Sequence, residues 1–327
     1  MNRGAAGAIL LLLAAGAPRL TWEDRHPLPQ GAGGGAAGLV GGSLVYAGGT
    51  NWTGGQKRWL REVYEYNIAA DRWLAGPPLP APMAYGAWSY SAEALEIYGG
   101  TDGSRAFRDC WRLEAGQHAW VPAGQAPADT LLARAERIGQ QVYLFGGCSD
   151  VADLTRCGDA VHLRERVGVW RRISALPQGA LAMAASAVAN GRVYLFGGCS
   201  MSSPGRLVNR DDAWSFDPRT GQWRRLRPLP HANRGLSAAA VSDRYVLLFG
   251  GYTASAREAA GKPADFGFSS TVLAYDIERD VYTELAPMPM AVSEMPMIPA
   301  GNVIFGIGGE HRMRGRTPRL LAARLHK

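Results

Sequence analysis

The sequence predicts an all-β fold: a six-bladed β-propeller whose last blade is closed by the N-terminal strand. Three observations carry this. The phrase Val142-Tyr143-Leu144-Phe145-Gly146-Gly147 returns letter for letter as Val193-Tyr194-Leu195-Phe196-Gly197-Gly198, and looser aliphatic runs ending in Gly-Gly close at Gly49, Gly100, Gly251 and Gly309. The second glycines lie 51, 47, 51, 53 and 58 residues apart, a period near 50 that marks repeated supersecondary units. An aromatic residue also precedes a Leu-Pro-like pair by six positions: Trp73 with Leu79-Pro80, Trp170 with Leu176-Pro177, Trp223 with Leu229-Pro230 and Tyr282 with Met288-Pro289. Trp120 keeps the position in the second repeat, with Ala126-Pro127 in place of Leu-Pro. Finally, the sixth repeat stops after its third strand, Leu320 to Leu325, and its missing aromatic piece stands at the other end of the chain, where Trp22 precedes Leu28-Pro29.

Taken in order, the chain opens with Arg3 before an apolar stretch from Ala5 to Ala15, and Ala15-Gly16-Ala17 has the small-x-small form of a cleavage site. The stretch is too short to span a bilayer. Residues 1–17 therefore read as a signal peptide and 18–327 as one propeller, with a periplasmic or secreted location expected. Each repeat then runs aliphatic strand, Gly-Gly, a variable polar stretch, a strand such as Val63-Tyr64-Glu65-Tyr66-Asn67 or Ala213-Trp214-Ser215-Phe216-Asp217, a tight turn and the aromatic strand. In the turn Asp217-Pro218-Arg219-Thr220-Gly221, Pro and Gly supply the fixed and positive φ that a reversal needs. Pairing of the N-terminal segment with the sixth repeat would leave no open sheet edge.

In an antiparallel four-stranded blade, the loop after strand two and the connection out of strand four emerge on the same side. One rim therefore collects the post-Gly-Gly loops and the Leu-Pro connections. Its candidates are Asn51, Lys57, Trp59, Tyr85 and Arg105 from the first repeats, Arg210, Arg234 and Glu294 from the later ones, and Glu310 with Arg316 in the sixth loop. The recurrent Trp and Tyr residues are expected to pack between blades. Trp52 and Trp59 lie in a loop and fall outside that argument. Gly33-Gly34-Gly35-Ala36-Ala37-Gly38 fits G-x-G-x-x-G but leads into a strand, not a helix, so it reads as crowding relief in an inner strand and not as a dinucleotide site.

The formal charge is +7, with arginines scattered through every repeat, which describes a solvated surface and argues against nucleic-acid binding. Of four cysteines, Cys148 and Cys157 stand where they could bridge the base of one hairpin, while Cys110 and Cys199 read as separate buried thiols. No paired C-x-x-C occurs and no histidine has a second one three to five residues away, so no metal site is expected.

The sixth loop, Gly308-Gly309-Glu310-His311-Arg312-Met313-Arg314-Gly315-Arg316-Thr317-Pro318, sets a carboxylate directly after Gly-Gly and an arginine six residues on, across a short reversal. On the residues alone this pair is equally a rim salt bridge or a functional site.

The 50-residue period with its Gly-Gly strand resembles the kelch repeat. Over almost the whole chain after the apolar N-terminus, the sequence is similar to the kelch-type N-acetylneuraminate (sialic acid) mutarotases, also called epimerases, in their cyclically permuted branch. Gly48-Gly49-Thr50-Asn51-Trp52 with Gly54-Gly55-Gln56-Lys57-Arg58-Trp59 resembles that branch's G-G-x-N-[FW] and G-G-x-K-x-W pattern, and Ala84-Tyr85-Gly86 its A-Y-G element. Gly309-Glu310 with Arg316 is similar to the G-E-x5-R segment whose Glu and Arg are the family's catalytic pair. Arg61-Glu62 stand where the branch usually has two acidic residues, and the fifth loop, Tyr252 to Ser270, is longer than its neighbours.

The resemblance implies a cofactor-free mutarotase for an acidic keto sugar. Glu310 would exchange protons with the anomeric hydroxyl or ring oxygen, and Arg316 would grip the sugar carboxylate by a two-pronged bond. Asn51, Lys57, Trp59 and Tyr85, which lie in the matching motifs, and Arg210, Arg234 and Glu294, chosen by their place on the rim, would bind substrate. A small acidic sugar is the expected partner, with neither nucleic acid nor a membrane span involved and a homodimer left open. Two other classes compete: a non-catalytic exported protein-binding module, and copper chemistry of the galactose-oxidase type, which the six histidines of the chain serve poorly.

Overall fold

The computed structural model describes residues 16–326 except 129, 152, 204 and 205. Of the expected signal peptide, residues 1–15 lie outside the described residues. No helix among those described is long and apolar enough to cross a membrane.

Six four-stranded antiparallel sheets form the blades. Blade 1 runs from the channel outward as Ala36–Val40, Ser43–Ala47, Val63–Asn67 and Arg72–Ala75, and blades 2 to 5 repeat that order. Blade 6 takes Met297–Ala300, Val303–Ile307 and Leu320–His326 from the C-terminal end and Arg19–Arg25 from the N-terminal end. Trp22 pairs with Ala323 in this closing ladder, so the circular closure read from the Trp22/Leu28-Pro29 spacing is present.

The aliphatic strands are buried on both faces because each blade is sandwiched between two others. In Gln141–Phe145, Val142 and Leu144 join a cluster with Tyr98 of blade 2, while Tyr143 and Phe145 join one with Val193 and Phe216 of blade 4. Alternation along the strand thus feeds two interfaces, which is why the sequence reads as a continuous apolar run. The aromatic column locks the same interfaces: Trp73 donates its Nε1–H to the His26 carbonyl, Trp120 to that of Pro77, and Tyr282 donates its hydroxyl to that of Arg227, each in the preceding blade.

Gly-Gly and Leu-Pro prove to be two halves of one contact. The first glycine of each pair has φ between +61° and +67°. A Cβ on Gly48 would lie 2.4 Å from the Met83 carbonyl oxygen and 2.7 Å from Cδ1 of Leu79; Gly197 stands in the same relation to Asn233 and Leu229. Only glycine fits both the backbone and the space. Burying each such leucine contributes about 1.5–3 kcal/mol.

One interface carries charge at its centre. Glu96 is fully buried between blades 2 and 3, with Arg112 Nη1 3.0 Å from Oε1, and Arg164 Nη2 2.5 Å from Oε2. Arg137 and the Tyr98 hydroxyl also donate to Oε2. Burial alone would raise this carboxyl, but the Tyr98 hydrogen bond and the charges of Arg164 and Arg137 outweigh it and bring its pKa down to about 2.

The glycine-rich segment differs from its expectation. Gly38 lies in the inner strand and faces Tyr90, where a Cβ would be 2.5 Å from the tyrosine Cβ. Gly33 to Gly35 instead precede that strand and belong to the mouth. The Cys148–Cys157 disulfide is formed, and Cys110 and Cys199 are buried free thiols.

Candidate functional site

Three columns of the repeat encircle the mouth of the central channel. The residue after each Gly-Gly, namely Thr50, Thr101, Cys148, Cys199, Tyr252 or Glu310, makes an isolated antiparallel bridge to the entry of its own blade's inner strand. The bridging partners are Gly33, Ala84, Leu131, Ala182, Arg234 and Ser293. The residue after each partner has positive φ: Gly34, Tyr85, Leu132, Met183, Gly235 and Glu294. Their main chains are linked from blade to blade, with N–H groups of Tyr85, Leu132, Met183, Gly235 and Glu294 each donating to the carbonyl of the preceding member. Among these positions the charged side chains are Glu310, Arg234 and Glu294, so charge gathers where blades 5, 6 and 1 meet.

The sixth hairpin, Glu310–Arg312 with Gly315–Arg316, pairs Glu310 across from Arg316. Arg316 Nη1 lies 2.5 Å from Glu310 Oε1. The Arg316 side chain is only 6% exposed, whereas that of Glu310 is 27% exposed, so the carboxylate is the accessible member of the pair. The remaining Arg316 nitrogens are engaged: Nε donates to Thr50 Oγ1 at 3.3 Å and Nη2 to the Tyr85 hydroxyl at 3.4 Å, while Nη1 also reaches the Gly315 carbonyl. Burial opposes the charge on Arg316, but Glu310 and Tyr85 outweigh it and raise its pKa. His311 is pushed the other way, by burial and by the charges of Arg312 and Arg316, which keeps its ring neutral at pH 7.

The glycines explain how Arg316 comes so close. A Cβ on Gly33 would lie 2.5 Å from Arg316 Cδ, and one on Gly34 would lie 2.5 Å from Tyr85 Cε1. The hairpin Thr50–Thr53 with Gln56–Trp59 completes this side. Lys57 Nζ sits 4.7 Å from the ring centroids of both Trp59 and Tyr85, and the two rings meet edge to face at 5.7 Å. Asn51 Oδ1 accepts the Trp52 N–H and shapes the strand.

In the adjacent blade, Arg234 lies over the Tyr252 ring at 4.4 Å and donates from Nη1 to Asn209 Oδ1 and the Ala254 carbonyl. Glu294 is paired with Arg134 at 3.4 Å and lines the channel cavity of about 360 Å³, together with Gly34, Trp88, Tyr90 and Glu136. Glu136 accepts a hydrogen bond from Ser186 at 2.6 Å, and burial pushes its carboxyl up to about 7.

Of the expected residues, the structure joins Glu310, Arg316, Tyr85, Lys57 and Trp59 in one continuous network and sets Arg234 and Glu294 in the adjoining columns. Arg210 stands apart: its partners are Asp212 at 2.7 Å, Ser200 and the Gln178 carbonyl, so it braces its own blade. Arg105 stacks on Phe107. Thr50, Gly33, Gly34, Tyr252 and Asn209 were missed by the sequence reading; aligning the repeats on Gly-Gly places Thr50, Tyr252 and Glu310 in one column and would have found the first two. Among the described residues no group of three or more His, Cys, Asp or Glu is placed to hold a metal ion.

The chain is similar to proteins of diverse description. It is 25% identical to Kelch-like protein 35 of Mus musculus over 248 residues, 75% of this chain and 38% of that protein. It is 27% identical to alpha-scruin of Limulus polyphemus over 61% of this chain and 22% of that one, and 27% identical to an N-acetylneuraminate epimerase of Yersinia enterocolitica over 176 residues, 45% of each. The matches thus span less than half the length of these relatives. The family model described as the Attractin/LZTR1 β-propeller matches residues 44–300, and with the six kelch-type blades in place the chain belongs to that propeller family.

Proposed function

We propose that this propeller is a mutarotase that interconverts the anomers of N-acetylneuraminate or a related acidic keto sugar. The observation that carries the reading is the Glu310–Arg316 pair, with the carboxylate open to the mouth and the guanidinium sealed beneath it. Epimerase-named relatives support it.

Anomer exchange of a cyclic 2-keto sugar opens and recloses a hemiketal. A base takes the anomeric hydroxyl proton while the ring C–O bond breaks and the ring oxygen gains a proton; reclosure on the other face reverses both transfers. Glu310 is the proton-exchanging group, a role worth about 10² to 10⁴ in rate. Arg316, held by Thr50 and Tyr85, fixes the carboxylate's orientation. The Trp59 and Tyr85 rings supply an apolar wall for the sugar. The residues assigned to the reaction are side chains of this chain, and no cofactor has a part in it. Export fits the reading: the apolar N-terminus and the Cys148–Cys157 bridge suit an oxidising compartment.

NMR observation of the α and β anomers tests it. Equilibration should be faster with protein than without, and Glu310→Gln should remove most of the acceleration; equal rates with and without protein would defeat the proposal. A second reading, a non-catalytic binding module, is favoured by the Kelch-like and scruin relatives. It predicts a protein partner held by the long loop from Tyr252 to Ser270 and no effect on anomers.

A further inference from the structure

We propose that Arg234, and not Arg316, seats the carboxylate of the ligand, using the free Nε–Nη2 edge of its guanidinium. The inference rests on the sugar-acid reading above and assigns the part of the site that selects an acid over a neutral sugar.

The two arginines differ in what they have left to offer. Every nitrogen of Arg316 has a partner: Glu310, Thr50, Tyr85 and the Gly315 carbonyl. A carboxylate gripping Arg316 by two prongs would have to displace Glu310 from Nη1 or the Thr50 and Tyr85 hydroxyls from the Nε–Nη2 edge. Arg234 makes no ion pair among the described residues, and its hydrogen bonds, to Asn209 and Ala254, both leave from Nη1. Among the described residues its Nε and Nη2 carry none, and neither is among the sealed, unpartnered side-chain atoms. Two parallel N–H groups on one guanidinium edge match the two oxygens of a carboxylate.

The setting favours an anion. Arg234 is held over the Tyr252 ring and pinned by Asn209, so its fork is oriented in advance. Burial destabilises its charge and nearby Glu310 only partly offsets this, a cost that an incoming carboxylate would relieve. Arg234 and Glu310 also belong to adjacent blades whose entry segments are bonded main chain to main chain through Gly235 and Glu294. A ligand anchored at Arg234 is thereby presented to Glu310 from the neighbouring column. Lys57 is the competing cation, but its ammonium is a point charge turned toward two rings on an outer hairpin.

Ligand-observed NMR titration with N-acetylneuraminate and its 1-methyl ester tests the assignment. The wild-type protein should bind the acid at least tenfold more tightly than the ester. Arg234→Gln should abolish that preference by weakening the acid alone, Arg234→Lys should leave an intermediate preference, and Lys57→Met should keep it. Thermal melts confirm folding, and Arg234→Lys carries the test if the Gln variant does not fold. A preference that survives in Arg234→Gln, an undiminished preference in Arg234→Lys, a preference lost in Lys57→Met, or no preference in wild type would overturn it. Anomer equilibration measured on the same samples separates the two ideas. An Arg234-dependent preference without acceleration keeps the anion seat and removes the catalysis, and acceleration with a preference indifferent to Arg234 does the reverse.

Discussion

Gly33 and Arg316 touch so closely that a methyl group on the glycine would sit 2.5 Å from Cδ and 2.8 Å from Nε of the arginine. The glycine is needed for the neighbour's sake: unlike Gly34, with φ of +73°, Gly33 does not hold a left-handed backbone, so alanine fits its own main chain. Gly33→Ala is therefore expected to keep its own backbone and to fold, at some cost in stability, and to displace Arg316 from Thr50 and Tyr85. A misplacement near 1 Å costs about 10² in rate. Anomer equilibration by NMR should slow accordingly while the protein still unfolds in one cooperative transition.

The buried Glu96 cluster should govern the acid limit of stability. Its carboxyl titrates at about 2 in the folded protein against 4.5 ordinarily, so as pH falls below 4.5 the unfolded chain takes up a proton that the folded state refuses. Stability is lost progressively from about pH 4.5 down to 2. Glu96→Gln leaves three arginines without their anion and should cost about 3–5 kcal/mol at pH 7. Its denaturant midpoint should then vary less with pH across that acid window than the wild type's.

Glu136 predicts a slope of opposite sign. Its carboxyl titrates at about 7 because burial outweighs the Ser186 hydrogen bond and the Arg134 charge. Between pH 4.5 and 7 the folded state retains a proton that the unfolded chain has released, so stability falls as pH rises through this window. The loss is on the order of 2 kcal/mol, the full linkage value reduced for the partial exposure of Glu136 on the channel wall. Glu136→Gln should flatten the slope, and thermal melts at pH 5 and 8 on both proteins would show it.

The Cys148–Cys157 bridge closes a separation of nine residues, for which loop-closure entropy gives about 2–3 kcal/mol. Reduction, or the double alanine variant, should lower the melting temperature by several degrees. Under denaturing conditions two thiols should titrate without reductant and all four with it.

Much of the architecture was legible because the repeat states the same physical requirement six times. Gly-Gly marks the place where a carbonyl and a leucine leave no room for a Cβ, and the aromatic six residues before Leu-Pro marks the interface with the preceding blade. The Glu310–Arg316 pair was legible for a local reason: six residues across a tight hairpin face each other. Arg210 shows the limit of that reasoning, since it follows its hairpin much as a rim residue should, yet Asp212 two positions on captures it. Gly33 looked like strand filler because its obligation is to a side chain 283 positions away, which no local pattern reveals. Glu96 and Glu136 were passed over because a single carboxylate in a strand ordinarily faces water. Only the sandwiching of blades shows that Glu96 does not, and only the channel wall shows where Glu136 points.

The two ends of the chain meet in one sheet, with Thr21 bonded to His326 across a separation of 305 residues. Blades 1 to 5 are each built from contiguous sequence and can order as they emerge, but the ring cannot shut until the final strand exists. Closure is therefore the most non-local event in folding and the slowest expected step. Until it happens, blade 6 shows an unpaired edge and blade 1 an unpaired face. The candidate site lies at that same seam, so the mouth acquires its working shape only when the chain has joined its beginning to its end.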